Sequence, residues 1–83
     1  MNESGDGLWG GAKAIEFYEQ RIKIAREIGD RRGEGNALAN LGLSHKELGE
    51  IDKARKVWQE ALEIFRAIES PHVASVEKWL ADL

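Results

Sequence analysis

The residues of this chain that could do chemistry do not assemble into a catalytic set. There is no cysteine, and the two histidines, His45 and His72, lie too far apart in sequence to form a helical pair of metal ligands. Gly33-Glu34-Gly35 begins like a nucleotide-binding fingerprint, but Leu38 stands where the third glycine is required. The sequence therefore predicts no catalytic residue, metal or cofactor, and we expect that the protein is not an enzyme.

A pair of asparagines has the spacing of a binding feature. Asn36 and Asn40 are four residues apart, so a helix places both carboxamides on one face, one turn apart. Each carboxamide offers hydrogen-bond donors and an acceptor, which suits holding the backbone of an extended peptide. The alternative, in which both are polar residues exposed to solvent without a ligand, stays open at this point.

Four helices must position these side chains. The apolar periodicity predicts helices over residues 12–28, 34–48, 52–69 and 71–82. Gly29-Asp30 and Gly49-Glu50 end the first two helices. Ser70-Pro71 separates the last two, with serine as N-cap and proline at the first helical position. Because the connections are short, consecutive helices must pack antiparallel, and the predicted fold class is an all-α stack of helix hairpins.

Composition and charge indicate the domain organisation and exclude two classes of partner. Residues 1–12 hold four of the nine glycines and predict a flexible leader before a helical domain over 13–83. The net charge is −3, and the glutamates fall at helix-surface spacing beside lysine and arginine, which is typical of solvated ion pairs. This pattern predicts no nucleic-acid partner. No apolar run approaches the roughly 18 residues of a membrane span, so we expect no membrane partner and a cytoplasmic location.

An internal repeat is the strongest signal in the sequence. Residues Ala14, Tyr18, Ile22, Ile24, Arg26 and Ile28 return forty positions later as Ala54, Trp58, Leu62, Ile64, Arg66 and Ile68. Each unit of a helical repeat must stack on neighbours to bury its apolar face, and about three units are normally needed for stability. This chain holds about two, with no cysteine for a disulfide. A partner chain is therefore expected to supply the missing burial.

Helical wheels indicate which faces lack a neighbour. The third helix has a wide apolar face, typical of a helix between two others, whereas the fourth has a narrow stripe, with Ser75 facing away, and ends the stack. The first helix also has a wide face, but Arg21 lies in its middle where the repeat has Ala61. We expect this face to mediate self-association, most simply as a two-fold dimer, with or without helix exchange. The residues expected at the contact are Trp9, Ala14, Phe17, Tyr18 and Arg21.

The segment from Gly35 to Ala61 resembles the tetratricopeptide repeat. Its two helix motifs appear as Leu38, Leu41-Gly42 and His45, then Ala54, Trp58 and Ala61, with Gly49 at the turn. Histidine replaces the usual tyrosine, and the helix-ending Pro71 falls late, in keeping with a period near forty instead of about 34. The chain is thus similar to the longer repeats of kinesin light chains and spindle-orientation adaptors. HEAT repeats, of comparable length, lack the Leu-Gly and Ala-x3-aromatic positions.

The resemblance implies an order of helices and a binding face. The chain is expected to consist of an unpaired helix B, one complete A–B repeat and a capping helix A. Members of the family bind peptides on the concave face of their A helices. The residues of that face on the second helix are Asn36, Ala39, Asn40, Leu43, Lys46 and Glu47. The core positions opposite them are Leu38, Leu41, His45 and Leu48. A chaperone-type clamp for a C-terminal carboxylate is not expected, because Ala39 and Leu43 replace its lysine and asparagine.

The expected function is therefore protein–protein interaction, with a peptide or partner protein on the concave face and self-association through the first helix. Two alternatives stay open. The chain could be a purely structural homo-oligomerisation element whose concave face has no ligand. It could also be a fragment of a longer tetratricopeptide array, in which preceding repeats cover the first helix.

Overall fold

Within residues 11–83, four α-helices form a single stack. The computed structural model describes residues 11–83, and side chains from Lys13 onward. The helices are α1 (Gly11–Ile28), α2 (Arg31–Glu47), α3 (Ile51–Ala67) and α4 (Val73–Ala81), and each packs on the next along the chain. The predicted all-α fold class is confirmed. The leader and Trp9 lie outside the described residues, except that Gly11 and Ala12 belong to α1.

The start of α2 differs from the prediction. The helix begins at Arg31, three residues before the predicted position, because Asp30 caps it. Oδ1 of Asp30 accepts a hydrogen bond from the backbone N–H of Gly33 at 2.9 Å. This cap satisfies a free N–H of the first turn and outweighs the low helix propensity of Gly33 and Gly35. Gly29, with φ of 73°, supplies the left-handed residue that separates α1 from α2.

The junction between α3 and α4 also differs from the prediction. Helix α3 ends at Ala67, since Glu69 adopts a left-handed conformation with φ of 56°. Helix α4 begins at Val73, so Pro71 precedes the helix instead of opening it. Oγ of Ser70 accepts a hydrogen bond from the N–H of His72 at 3.1 Å. Serine thus caps a tight turn that leads into α4, which is the same local bond that the predicted N-cap would make.

Two glycines set the distance between α2 and α3. A β-carbon on Gly42 would overlap the indole ring of Trp58, and one on Gly35 would lie 2.6 Å from Cε1 of Phe65. Both rings are fully buried. Nε1 of Trp58 also donates a hydrogen bond to the carbonyl oxygen of Ala39 at 2.9 Å. The Leu-Gly position of the repeat is therefore where α3 inserts its tryptophan against the backbone of α2.

One glutamate departs from the surface pattern. Glu34 is only 4% exposed, whereas the charge pattern predicts solvated glutamates. Its Oε2 lies 2.8 Å from Nε of Arg26 on α1, and its Oε1 lies 2.8 Å from Nη1 of Arg31. Arg26 also reaches Glu60 on α3 at 3.5 Å. A buried carboxylate is stable only when its charge is compensated, so these arginines are what permits Glu34 to lie between the helices.

The far end of α2 is partly as predicted. His45 is buried, and its Nδ1 lies 2.8 Å from Oε1 of Glu50. This hydrogen bond, together with the charge of Lys53, holds the pKa of the Glu50 carboxyl below its ordinary value, against an opposing effect of desolvation. The prediction that Leu48 is a core residue is wrong, because its side chain is 48% exposed. Leu48 is the C-cap of α2, directly before the turn at Gly49, where the helical periodicity no longer applies.

Candidate functional site

A groove of about 480 Å³ runs between α2 and α4. The residues that line this α2–α4 groove are Asn36, Ala39, Asn40, Phe65, His72, Ser75, Val76 and Trp79. Its buried members, Ala39, Phe65 and Val76, form an apolar floor. The two asparagines of α2 are exposed on one side, and Ser75 is exposed on the α4 side. The groove therefore combines an apolar base with exposed polar groups along its sides, a composition typical of binding sites.

Aromatic contacts fix the walls of the groove. The ring centroids of Trp58 and Trp79 are 5.5 Å apart, which ties α4 to the buried indole of α3. The ring of His72 lies 5.3 Å from that of Phe65, at the turn before α4. Aromatic pairs at such distances contribute about 0.5 to 1.5 kcal/mol beyond the area they bury. These packed rings hold α4 and the turn before it against α3, and α3 in turn packs on α2.

The structure brings together half of the residues predicted for the concave face. Asn36, Ala39 and Asn40 line the α2–α4 groove, whereas Leu43, Lys46 and Glu47 are exposed outside the residues that line it. The groove residues that the sequence prediction missed are Phe65, His72, Ser75, Val76 and Trp79. The narrow apolar stripe of the fourth helix contained Val76 and Trp79. Ser75, expected to face away from the stack, is exposed and lines the groove.

A second depression of about 350 Å³ adjoins the groove, because His72 lines both. Arg32 and Glu69 also line this depression. Their opposite charges offset each other at that end of the groove. The residues that line the groove itself carry no formal charge when His72 is neutral.

A separate apolar surface lies on α1. We call it the α1 stripe, and its members are Phe17, Arg21, Ile24 and Ile28. Phe17 is 51% exposed, Ile24 52% and Ile28 70%, and Arg21 is also exposed. Of the other residues predicted for self-association, Tyr18 is half-buried and Ala14 is buried. Trp9 lies outside the part of the chain that the structure describes.

The forty-residue repeat identifies the residues near α3 that correspond to the α1 stripe, so the burial of the two faces can be compared. Forty residues after the α1 stripe come Val57, Ala61 and Ile64 on α3 and Ile68 at the C-cap of α3. Ala61 is 0% exposed and Ile64 4%, and both belong to the core that α3 shares with Leu38 and Leu41 of α2. Within residues 13–83, the same helix face is therefore largely covered at the second repeat and exposed on α1.

The model of the tetratricopeptide repeat family matches residues 11–72. The chain belongs to the tetratricopeptide repeat family. The match spans α1, α2, α3 and the turn into α4, and it includes the segment from Gly35 to Ala61 whose motifs carry the resemblance. The tetratricopeptide repeat is a protein-interaction repeat, so membership makes this chain a protein–protein interaction module.

Curated relatives carry similar segments within much longer proteins. The chain is 45% identical over 42 residues to G-protein-signaling modulator 1 of Homo sapiens, a segment that covers 51% of the chain and 6% of that protein. It is 34% identical over 70 residues to Regulatory protein AfsR of Streptomyces griseus, covering 84% of the chain and 7% of that protein. This repeat domain thus spans less than a tenth of either relative. No solved structure matches the chain significantly.

The described residues hold neither a membrane-spanning helix nor a metal-binding cluster. None of the helices from Gly11 to Ala81 is both long enough and apolar enough to cross a bilayer. Across residues 11–83, no three acidic or histidine side chains come together as a metal-binding group. The cytoplasmic location expected from the sequence stays a prediction.

Proposed function

We propose that this tetratricopeptide repeat binds an extended segment of a partner protein in the α2–α4 groove. The observation that carries the proposal is the placement of Asn36 and Asn40 beside an apolar floor, with Trp79 on the other wall. A site of this kind holds a backbone through hydrogen bonds and selects side chains through apolar contact. The backbone contacts supply affinity, and the floor supplies preference for the partner.

The spacing of the two asparagines fits an extended peptide. Four residues of a helix rise by about 6 Å, and two residues of an extended chain span roughly 6.6 Å. Asn36 and Asn40 can therefore reach the backbone groups of alternate residues in a peptide that runs along α2. In this arrangement each carboxamide donates to a peptide carbonyl and accepts from a peptide N–H. Alternate peptide side chains then point toward Phe65, Val76 and Trp79.

Replacing both asparagines by alanine is expected to weaken peptide binding without unfolding the protein. A peptide selected from a displayed random library against the wild-type protein, then labelled with a fluorophore, serves as the probe. Removing the hydrogen bonds of both carboxamides should cost about 2 kcal/mol, or roughly a 30-fold higher Kd. Fluorescence anisotropy measures this change. The matched control is Q20A/Q59A, which removes two exposed carboxamides on α1 and α3 outside the groove.

Two results would contradict peptide binding in this groove. One is an N36A/N40A variant that binds the selected peptide as tightly as wild type. The other is a library that yields no binder, which favours the alternative of a purely structural oligomerisation element.

We infer a second activity, self-association through the α1 stripe. It is supported by the exposure of Phe17, Ile24 and Ile28 on a face whose equivalent at the second repeat is buried or half-buried against the core. Each large apolar side chain moved from water into a contact contributes about 1.5 to 3 kcal/mol before the cost of association. If the chain is a piece of a longer array, preceding repeats would cover this stripe in the intact protein.

Introducing a charge in the stripe is expected to abolish self-association. The variant Ile24→Glu places a carboxylate where the contact would exclude water, so the weight-average mass should fall to that of the monomer. Sedimentation equilibrium at micromolar concentrations measures this mass. The control Gln20→Glu adds the same charge at an exposed position of α1 outside the stripe. A wild-type protein that is a folded monomer at every concentration would contradict this second activity.

A further inference from the structure

The repeat order points to the occupant of the α1 stripe. We propose that it is α4 of a second copy, so that copies join head to tail. This inference rests on the proposed self-association and specifies its geometry. It replaces the two-fold dimer, which is the simplest contact expected from the sequence, with a contact between two different surfaces.

The order of A and B helices matches α4 to the α1 stripe. Helix α3 buries its stripe against α2, the A helix that precedes it. Because α1 repeats α3, its stripe is shaped for an A helix as well. Helix α2 already lies between α1 and α3, so both of its helix-packing faces are occupied. Helix α4 is the other A helix, and no B helix follows it within residues 11–83. Within residues 11–83, one end of each copy therefore presents a B helix without a preceding A helix, and the opposite end presents an A helix without a following B helix.

Small side chains on α4 allow the close approach of a second helix. Aligning Leu80-Ala81 with Leu41-Gly42 places Ala81 at the position of Gly42 and Ala74 at the position of Gly35. Those glycines are where α3 approaches α2 most closely. Ala74 and Ala81 are exposed on α4. Their small side chains leave room for a second helix to approach α4 in a similar manner.

The charges of Arg21 and Glu77 are complementary in a head-to-tail contact. The same alignment places Glu77 at the position of Leu38, and the forty-residue repeat places Arg21 at the position of Ala61. Leu38 and Ala61 belong to one buried cluster between α2 and α3. A head-to-tail contact with the geometry of that helix pair brings Arg21 of one copy to Glu77 of the next. Both side chains are free to adapt, because Arg21 is exposed and Glu77 is half-exposed.

The carboxylate of Glu77 can still accept a hydrogen bond from a second arginine. Its Oε2 accepts from Nη2 of Arg66 at 2.8 Å, and the second carboxylate oxygen can accept another hydrogen bond. In a two-fold contact centred on the α1 stripe, Arg21 instead lies near Arg21 of the other copy. Like charges at an interface oppose association, so the two-fold arrangement is the less favourable one. A head-to-tail contact leaves a free stripe at one end, so association continues beyond the dimer unless a ring closes.

Charge reversal tests the geometry directly. The variants R21E and E77R each place like charges at the junction, and each should raise the apparent Kd for self-association about tenfold or more. An equimolar mixture of the two should restore association. In the mixture, α4 of the R21E variant keeps Glu77 and meets Arg21 of the E77R variant, and the other junction pairs the two introduced charges. Sedimentation equilibrium measures the association. The matched control is E63R, which reverses the charge of an exposed glutamate on α3.

The outcomes separate this inference from the proposed self-association. If I24E abolishes association while E77R leaves it unchanged, the stripe is used but the head-to-tail geometry is wrong. If I24E has no effect, self-association through the stripe fails as well. Circular dichroism verifies that E77R is folded, and E77Q provides a second variant that removes the charge without reversing it. Restoration in the mixture, with neither variant associating alone, is the result that the head-to-tail contact predicts.

Discussion

Removing Arg26 and Arg31 together is expected to destabilise the fold by about 3 kcal/mol. The double variant R26A/R31A leaves the Glu34 carboxylate between the helices without either of its 2.8 Å partners. Breaking a buried pair from one side costs about 3 to 5 kcal/mol, and the lower end applies here because the shortened side chains admit water. A small domain has a net stability of only about 5 to 15 kcal/mol, so this loss is large.

Urea denaturation followed by circular dichroism measures the effect. The variant Glu34→Gln should lose less, about 1 kcal/mol, since a neutral amide needs no compensating charge. The control R32A/R55A removes two exposed arginines and should change stability by no more than about 0.5 kcal/mol. An R26A/R31A variant that is no less stable than E34Q would show that Glu34 does not depend on the two arginines.

The variant Gly42→Ala is expected to lose about 2 kcal/mol, although alanine is the better helix former. The added β-carbon would lie 2.6 Å from Cε2 of Trp58, a ring that is fully buried and cannot move into solvent. Overpacking costs about 1 to 3 kcal/mol. Loss of the hydrogen bond from Trp58 to Ala39 adds about 1 to 3 kcal/mol. The gain in helix propensity, about 1 kcal/mol, offsets only part of this.

A double-mutant cycle checks the cause. Trp58→Phe removes the pyrrole ring that the new methyl group would overlap, so G42A should cost much less in the W58F background than in wild type. Thermal or urea denaturation of the four proteins gives the coupling energy, and contacting residues commonly show about 0.5 to 3 kcal/mol. Equal costs of G42A in both backgrounds would contradict the close approach of α3 to α2 at this position.

The sequence predicts the helices well and their ends less well. The forty-residue repeat and the Leu41-Gly42 motif were enough to specify the fold class and the family. The start of α2 was missed because the capping bond of Asp30 competes with two nearby glycines, and periodicity does not weigh that competition. Leu48 was misplaced because a helical wheel continues past the residue where the helix stops.

The sequence indicates the α2 side of the candidate site but not the α4 side, for a physical reason. Asn36 and Asn40 lie on one helix, so their spacing alone places them together. The opposite wall, with Ser75 and Trp79, depends on how α4 packs across α3, which no local pattern encodes. Glu34 shows the same limit, because a glutamate at surface spacing becomes buried only when two arginines from separate positions converge on it.

Helix α2 links the features of this repeat domain. One face packs on α1 through the Glu34 ion pairs, another receives Trp58 and Phe65 of α3, and a third presents the asparagines. The packing that stabilises the domain therefore also fixes the orientation of the groove. Variants that loosen α2, such as G42A, should weaken peptide binding along with stability, whereas N36A/N40A should affect binding alone.

An NMR titration can locate partner binding in the α2–α4 groove residue by residue. The library-selected peptide is added to the 15N-labelled protein, and chemical shifts are followed to saturation. If the peptide lies in the groove, the largest changes fall on the side-chain amides of Asn36 and Asn40 and on the indole N–H of Trp79. Changes confined to the backbone of Phe17, Ile24 and their neighbours on α1, with the groove signals unmoved, would contradict binding in the groove.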